Sequence, residues 1–113
     1  MKRRIPEPVL LGSLEEQVML AVVRTGTDAY GMNVRRELEA VTGREITIGS
    51  VYATLDRLEA KGLVGSARAS AQDAVSRRVF SITPTGVASL ELTRDTRDRL
   101  WSGVKLAKLG VRS

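Results

Sequence analysis

Apolar residues recur at helical spacing in three successive segments in the first half of the chain. Residues three and four positions apart lie on one face of a helix, and an apolar face indicates burial against a common core. The apolar positions are, in chain order, Leu14, Val18, Ala21 and Val22, then Tyr30, Val34, Leu38 and Val41, and finally Ile48, Val51, Leu55 and Leu58. The pattern therefore predicts three short helices, over residues 13–24, 29–41 and 48–61.

Capping residues predict where the first and third helices begin and end. Ser13 and Glu16 form a capping box, in which the hydroxyl accepts from a first-turn amide while the carboxylate reaches back. Thr47 is placed to cap the third helix, and Gly62 is placed to end it in the left-handed region.

A two-stranded hairpin and a long helix complete the predicted elements. Residues 63–69 and 77–82 have the character of strands, and a loop of small residues joins them. Thr83 and Pro84 begin the last helix, because a capping residue is followed by proline at the first helical position. We expect this helix to continue to about Leu109, with Gly103 as its one internal glycine beyond the first turn.

Three helices followed by a hairpin form the winged helix-turn-helix arrangement. The predicted fold class is therefore mainly α with a small β-hairpin, namely a winged helix-turn-helix with a long C-terminal dimerisation helix. The predicted parts are an N-terminal arm over residues 1–12, the winged domain over residues 13–83 and the dimerisation helix over residues 84–113.

The composition favours a polyanionic partner and excludes several kinds of site. The chain of 113 residues has 18 Lys and Arg against 13 Asp and Glu, a net charge of +5. Such a charge favours nucleic acid first and an anionic membrane surface second, although many domains without such partners reach it. Because the chain has no His and no Cys, we expect no disulfide, no thiolate zinc site, no cofactor and no metal.

Neither a membrane span nor an export signal is expected from the sequence. The longest apolar run, Val18–Val23, is far shorter than a bilayer requires. Lys2, Arg3 and Arg4 are followed by prolines and an acid rather than by an apolar stretch. We therefore expect a cytoplasmic protein, and the three cations could add an arm contact to DNA.

The outer face of the third helix carries the candidate chemistry. Ser50, Thr54, Arg57 and Lys61 are spaced to lie opposite the apolar stripe, and Gly49 and Ala53 keep that side slim. A helix that enters the major groove needs small side chains at the closest approach and donors for base edges and phosphates. The same face could also be an ordinary solvated surface. The hairpin adds Arg68, Arg77 and Arg78 where a wing meets the DNA backbone.

Three motifs in order make the chain resemble the PadR family of bacterial repressors, in its short type with a single C-terminal helix. They are Ala29-Tyr30-Gly31, the run from Ile48 to Val64 (IGSVYATLDRLEAKGLV), and the run from Arg77 to Gly86 (RRVFSITPTG). The resemblance covers about residues 10–105. Two features depart from it. The loop over residues 69–76 has no glycine, lysine or arginine, where many relatives are rich in them, and Val79 stands where many relatives have an aromatic residue.

The resemblance implies a dimer that binds an inverted repeat near its own or a neighbouring promoter. It also implies that the third helix enters the major groove and that Tyr52 contacts the DNA backbone, although Tyr52 borders the buried stripe and could instead be a packing residue. The predicted DNA-binding residues are Thr47, Gly49, Ser50, Tyr52, Ala53, Thr54, Arg57, Lys61, Arg68, Arg77 and Arg78.

The last helix has more apolar surface than one small domain can cover. Its apolar residues flank a polar middle, in which Asp95 can pair with Arg99. We therefore expect burial against a second copy, with the first helix nearby. Trp101 is either an anchor of that interface or, as the resemblance implies, a wall of a pore that accepts flat hydrophobic ligands. The predicted interface and effector residues are Leu14, Val18, Leu90, Arg97, Leu100, Trp101 and Val104.

The sequence thus predicts a homodimeric DNA-binding repressor with double-stranded DNA as its partner and a small planar hydrophobic effector as a further ligand. The alternative is a winged helix that binds another protein through the same face. An enzyme is disfavoured, because no glycine-rich phosphate loop, carboxylate pair or nucleophile–base set is found.

Overall fold

Four helices and one hairpin make up the structure, a computed structural model that describes residues 7–68 and 77–110. The elements are α1 (Ser13–Thr25), α2 (Gly31–Thr42), α3 (Ile48–Ala60), β1 (Val64–Arg68), β2 (Arg78–Ile82) and α4 (Pro84–Trp101). Short 3₁₀ turns follow α1 at Gly26–Asp28 and α4 at Leu106–Leu109. The predicted order of elements is confirmed.

The core lies between α1, α2, α3 and the hairpin. Its buried side chains include most of the apolar stripes predicted for the three helices, together with residues of the hairpin. They are Val18, Met19, Ala21, Val22, Ala29, Val34, Leu38, Val51, Leu55, Leu58, Leu63, Val64 and Phe80. Burial of each large side chain contributes roughly 1.5–3 kcal/mol, so this shared cluster is the main source of stability of the domain.

The hairpin is fixed against the start of α2. Its strands pair antiparallel from Val64 opposite Ile82 to Arg68 opposite Arg78. The amide of Phe80 donates to the carbonyl of Ala29 at 3.0 Å, and Tyr30 forms an isolated bridge with Val79. Because these backbone contacts tie β2 to the segment that begins α2, the wing has a defined place beside the helices.

Two details of the helix ends differ from the prediction. The predicted capping box of Ser13 and Glu16 is not formed, because Ser13 is already the first residue of α1 and the residue that precedes it, Gly12, has no side chain to accept a hydrogen bond. The amide of Gly12 donates to Oε1 of Glu15 at 3.1 Å, so Glu15 takes the role predicted for Glu16. Val41 is 57% exposed, although it shares a face with Val34. The prediction that it is buried is wrong because the last turn of α2 extends past the core. The cap of α3 is confirmed, since Oγ1 of Thr47 accepts from the amide of Ser50 at 3.1 Å.

The last helix is shorter than predicted. It ends at Trp101 instead of continuing to Leu109, because Gly103 adopts a left-handed conformation with φ of 76° and turns the chain away. Val104 consequently lies beyond the helix that was expected to carry it.

The first half of α4 packs against an extended segment near the N-terminus. The amide of Val9 donates to Oγ of Ser89 at 3.0 Å, and the amide of Leu11 donates to Oγ1 of Thr93 at 3.0 Å. Both hydroxyl residues are buried, and the hydroxyl oxygen of each accepts from a backbone amide of this segment. Residues 9–11 therefore run along α4.

Candidate nucleic-acid interface

The exposed face of α3 is polar and has a slim profile at its N-terminal end. Thr47, which caps the helix, and Gly49, Ser50 and Ala53 are all exposed, and nothing lies within 4 Å of the position that a Cβ of Gly49 would take. Arg57 and Lys61 are exposed further along the same helix. The sequence therefore predicted correctly that these side chains face solvent.

Thr54 is an exception, because the structure buries it to 1% exposure. It lies within one turn of Val51 and Leu58, and its Oγ1 donates to the carbonyl of Ser50 at 2.8 Å. Threonine can satisfy its hydroxyl in this way inside a helix, so a polar residue on the buried side costs little. The prediction that Thr54 points outward is wrong. Asp56, which was not predicted for the outer face, is exposed on this helix.

Tyr52 lies with its ring against the N-terminal end of α2. A Cβ at Gly31 would come within 2.5 Å of the Tyr52 hydroxyl oxygen and 2.7 Å of its Cε1. The residue at position 31 must therefore be glycine for the ring to take this place. Tyr52 is packed on one side, as the packing interpretation expects, and exposed on the other. Its contact with the DNA backbone stays a prediction.

Two of the cations predicted to contact DNA form salt bridges with carboxylates of the same chain. Nζ of Lys61 lies 2.7 Å from Oε2 of Glu15, and this hydrogen bond with the ammonium lowers the pKa of the Glu15 carboxyl. Arg78 pairs with Asp56 at 3.0 Å and with Glu59 at 2.6 Å, and these carboxylates raise the pKa of its guanidinium against the opposing effect of burial.

The other predicted arginines remain accessible. Within residues 7–68 and 77–110, neither Arg57 nor Arg68 nor Arg77 is part of a salt bridge. Arg57 donates only weakly to Oγ1 of Thr54, at 3.4 Å. The guanidinium of Arg77 lies over the ring of Tyr30, 5.2 Å from its centroid, which orients a cation at the base of the hairpin.

A cleft between α2, α3 and the hairpin brings in residues that sequence reasoning missed. It has a volume of about 550 Å³ and is lined by Tyr30, Met32, Asn33, Arg36, Tyr52, Arg77 and Arg78. Arg36 donates to Oδ1 of Asn33 at 3.2 Å. The available signal was the polar side of α2, where Asn33 and Arg36 are one turn apart, but only the apolar side of that helix was used for prediction.

A family model for the transcriptional regulator PadR-like family matches residues 19–92, well over half of the chain. The chain belongs to the PadR-like family. The resemblance drawn from the three motifs is thus confirmed, and with it the class of transcriptional regulators. No protein of curated function matches the sequence.

Solved structures share the winged-helix fold of this PadR-like chain. A PadR-like transcription factor from Bacteroides fragilis is 21% identical with a TM-score of 0.68, covering 77% of this chain and 82% of its own. A PadR-like regulator from Bacillus cereus is 18% identical with a TM-score of 0.67, over 88% and 93% of the two chains. RosR from H. salinarum is 26% identical with a TM-score of 0.58, over 81% and 76%.

The residues predicted for dimerisation divide into two groups in the PadR-like structure. Leu14 and Leu90 pack against the core of their own chain, and Val18 has no exposed surface at all. The prediction that Val18 faces a partner or ligand is wrong, because its side chain points between the helices of the domain. Leu100, Trp101 and Val104 are exposed, as an interface or ligand site requires.

Charged residues of α4 also differ from expectation. Arg97 pairs with the buried Glu16 of α1 at 2.6 Å, which ties α4 to the domain. Arg99 donates to Oγ1 of Thr96 at 3.3 Å, and its predicted pair with Asp95 is not formed. Thr96 is one residue closer to Arg99 in the sequence than Asp95 is, and its hydroxyl accepts the hydrogen bond instead.

Three further expectations concern the DNA contacts of the N-terminal arm and the hairpin loop, a membrane span and a metal site. Lys2, Arg3 and Arg4 and the hairpin loop over residues 69–76 lie outside the described residues. Among the residues that the structure describes, no helix is long and apolar enough to cross a bilayer. The same part of the chain holds no cluster of three or more acidic side chains suited to a metal ion.

Proposed function

We propose that the protein is a homodimeric repressor that binds an inverted repeat in double-stranded DNA, with α3 in the major groove. The observation that carries the proposal is that the exposed face of α3 is continuous with the arginine-lined cleft beside it. Tyr52 belongs both to the exposed face of α3 and to the arginine-lined cleft beside it. A groove-reading face with cations at its edge matches the division between base contacts and phosphate contacts in protein–DNA complexes.

Each part of this surface has a separate role in the proposal. Ser50, Ala53 and Arg57 approach base edges, where small residues permit close contact and arginine is the most common donor to guanine. Arg36 and Arg77 at the cleft contact the phosphate backbone, and Tyr52 donates its hydroxyl to a phosphate. In a two-fold dimer the two α3 helices would meet successive major grooves, about one helical turn or roughly 34 Å apart.

Binding to the promoter region of the protein's own gene, compared with random duplex of equal length, tests the proposal. We expect fluorescence anisotropy to show a clear preference for the promoter fragment, with an affinity that falls steeply between about 50 and 200 mM salt as counterions return to the phosphates. Equal affinity for both duplexes would rule out a sequence-specific repressor. Weak salt dependence together with capture of a protein would favour the alternative interaction module.

Single arginine variants separate base contacts from phosphate contacts. Arg57→Ala is expected to weaken promoter binding by about 1–3 kcal/mol and to reduce the preference over random duplex. Arg36→Ala is expected to weaken binding to both duplexes and to reduce the salt slope by about one. Arg94→Ala removes the same charge from an exposed position on α4 and is the matched control. Identical behaviour of all three variants would contradict the assignment.

The effector site is proposed to lie between the two Trp101 side chains of the dimer, and its ligand is a planar hydrophobic molecule. Trp101 and Leu100 support this proposal because both are large, apolar and exposed at the end of α4, and paired indoles can stack on a flat ring system.

The fluorescence of Trp101 gives a direct test, since this is the single tryptophan of the chain. Titration with a set of planar aromatic compounds, beginning with acridine, is expected to quench or shift its emission with a saturating dependence on concentration. N-acetyltryptophanamide at the same absorbance controls for inner-filter effects. A linear response that matches this control for every compound would rule out the site.

A further inference from the structure

Arg78 connects the hairpin to α3 through more contacts than any other charged residue of the described hairpin. It stands at the start of β2, and its Nη1 and Nη2 reach Asp56 and Glu59 on α3 at 3.0 and 2.6 Å. Its guanidinium also lies 4.8 Å from the centroid of the Phe80 ring. Arginine suits this place because its planar fork serves two acceptors and an aromatic face at once.

Glu59 extends the same connection to the other strand. Its second carboxylate oxygen accepts from Oγ of Ser66 on β1 at 2.8 Å. One carboxylate of α3 therefore contacts both strands of the hairpin. The hairpin and α3 carry separate proposed DNA-contacting residues. This connection therefore helps to set their relative position, together with the backbone contacts of β2 to the start of α2.

Arg78 also reduces two charge repulsions in its surroundings. Arg68 lies directly opposite Arg78 in the antiparallel register, where two like charges destabilise a strand pair. Asp56 is exposed on α3 next to Arg57, where an uncompensated carboxylate would repel phosphate. The pairing of Arg78 with both acids reduces each of these repulsions.

We propose that Arg78 is a positioning residue for DNA recognition, which holds the hairpin against α3 and offsets part of the negative charge of Asp56 and Glu59 without contacting DNA itself. The proposal rests on the proposed DNA-binding function and deepens it. It replaces the expectation that Arg78 is a phosphate contact like Arg77. The two roles have different requirements. A phosphate contact needs a positive charge, whereas the connection between the hairpin and α3 needs a guanidinium, whose two Nη atoms can donate to two carboxylates at once.

Arg78→Lys and Glu59→Gln distinguish the two roles. Lysine keeps the charge but cannot serve both carboxylates, so we expect promoter affinity to fall roughly tenfold with an unchanged salt slope. Glu59→Gln raises the net charge by one, and we nevertheless expect weaker promoter binding. A phosphate contact predicts the opposite pair of results, namely near-normal affinity for Arg78→Lys and tighter binding for Glu59→Gln. Arg94→Lys, on α4, is the matched control.

Hydrogen exchange on the free protein separates failure of this proposal from failure of the DNA-binding proposal. Amides of β1 and β2 are expected to exchange faster in Arg78→Lys and Glu59→Gln, and at the normal rate in Arg94→Lys, while α1 stays protected in all three. Unchanged hairpin exchange in both variants would overturn the connection whatever the DNA result. A wild-type protein without promoter preference would instead overturn the DNA-binding function, and with it the role of Arg78 in recognition. If Glu59→Gln fails to fold, Ser66→Ala replaces it with the same expectation for hairpin exchange.

Discussion

Replacement of Gly86 by alanine is expected to lower the free energy of unfolding by about 3 kcal/mol, near the upper end of typical overpacking costs. A Cβ at this position would overlap the carbonyl oxygen of Leu63 and would lie 2.8 Å from Cγ2 of Ile82. The Leu63 carbonyl cannot easily move, because it accepts from the amide of Thr83 at 3.1 Å. The first turn of α4 can therefore approach the hairpin this closely only where the side chain is absent.

Urea unfolding followed by circular dichroism measures this effect at a fixed protein concentration, because association would otherwise shift the midpoint. Gly49→Ala is the matched control. It makes the same chemical change within a helix, and its new methyl group would meet nothing within 4 Å. We expect the control to change the free energy of unfolding by no more than about 1 kcal/mol, in the stabilising direction. Equal stability of the two variants would show that the contact at Gly86 relaxes without cost.

The helices were predictable because their signals are local. The apolar spacing in α1, the threonine cap of α3 and the threonine–proline start of α4 each act within a few residues. The early end of α4 depends on the left-handed conformation of Gly103. That glycine was visible in the sequence, but a single glycine within a helical pattern does not reveal whether packing keeps the helix continuous.

The side chains of the site were predicted less completely, because their environment depends on contacts between distant segments. The sequence indicates that Thr54 is polar, but its burial follows from how α3 sits on the core, and its hydroxyl finds a carbonyl within its own helix. Lys61 meets Glu15 across 46 positions of sequence. No local pattern identifies such a pair, so a cation that is free on a helical wheel can already be paired in the fold.

The cleft shows the same limit for residues that were missed. Arg36 belongs to α2 and Arg77 to the hairpin, and they line one surface only because β2 is attached to the start of α2. Periodicity within α2 could have shown that Arg36 is exposed. Its proximity to Tyr52 required the tertiary arrangement, which no single-segment pattern contains.

Introduction of two acidic residues at the end of α4 is expected to abolish the proposed dimer. Leu100 and Trp101 are 73% and 56% exposed in a single chain, and each contributes roughly 1.5–3 kcal/mol when it is fully buried. A two-fold interface buries each residue twice. Leu100→Asp combined with Trp101→Asp therefore removes enough apolar burial to raise the dissociation constant by at least about a thousandfold.

Sedimentation velocity at micromolar concentration measures the result. The wild type is expected to sediment with about twice the chain mass of 12.3 kDa, and the double variant with the mass of one chain. Val41→Asp is the control, because it places the same carboxylate on another exposed apolar residue, on α2. It should leave the dimer intact. The double variant should keep its helical circular dichroism, since neither side chain belongs to the core.

Loss of the dimer should also weaken DNA binding without any change to the DNA-contacting residues. A monomer engages one half of an inverted repeat, whereas in the dimer the second contact is intramolecular and benefits from a high effective concentration. We expect promoter affinity of the double variant to fall by about a hundredfold or more, to the level of a single half-site, and affinity for a half-site duplex to stay at the wild-type value. If the double variant remains dimeric, the interface lies elsewhere than at the end of α4. If it is monomeric yet binds the full repeat normally, the operator is read by single chains and the two-fold arrangement is wrong.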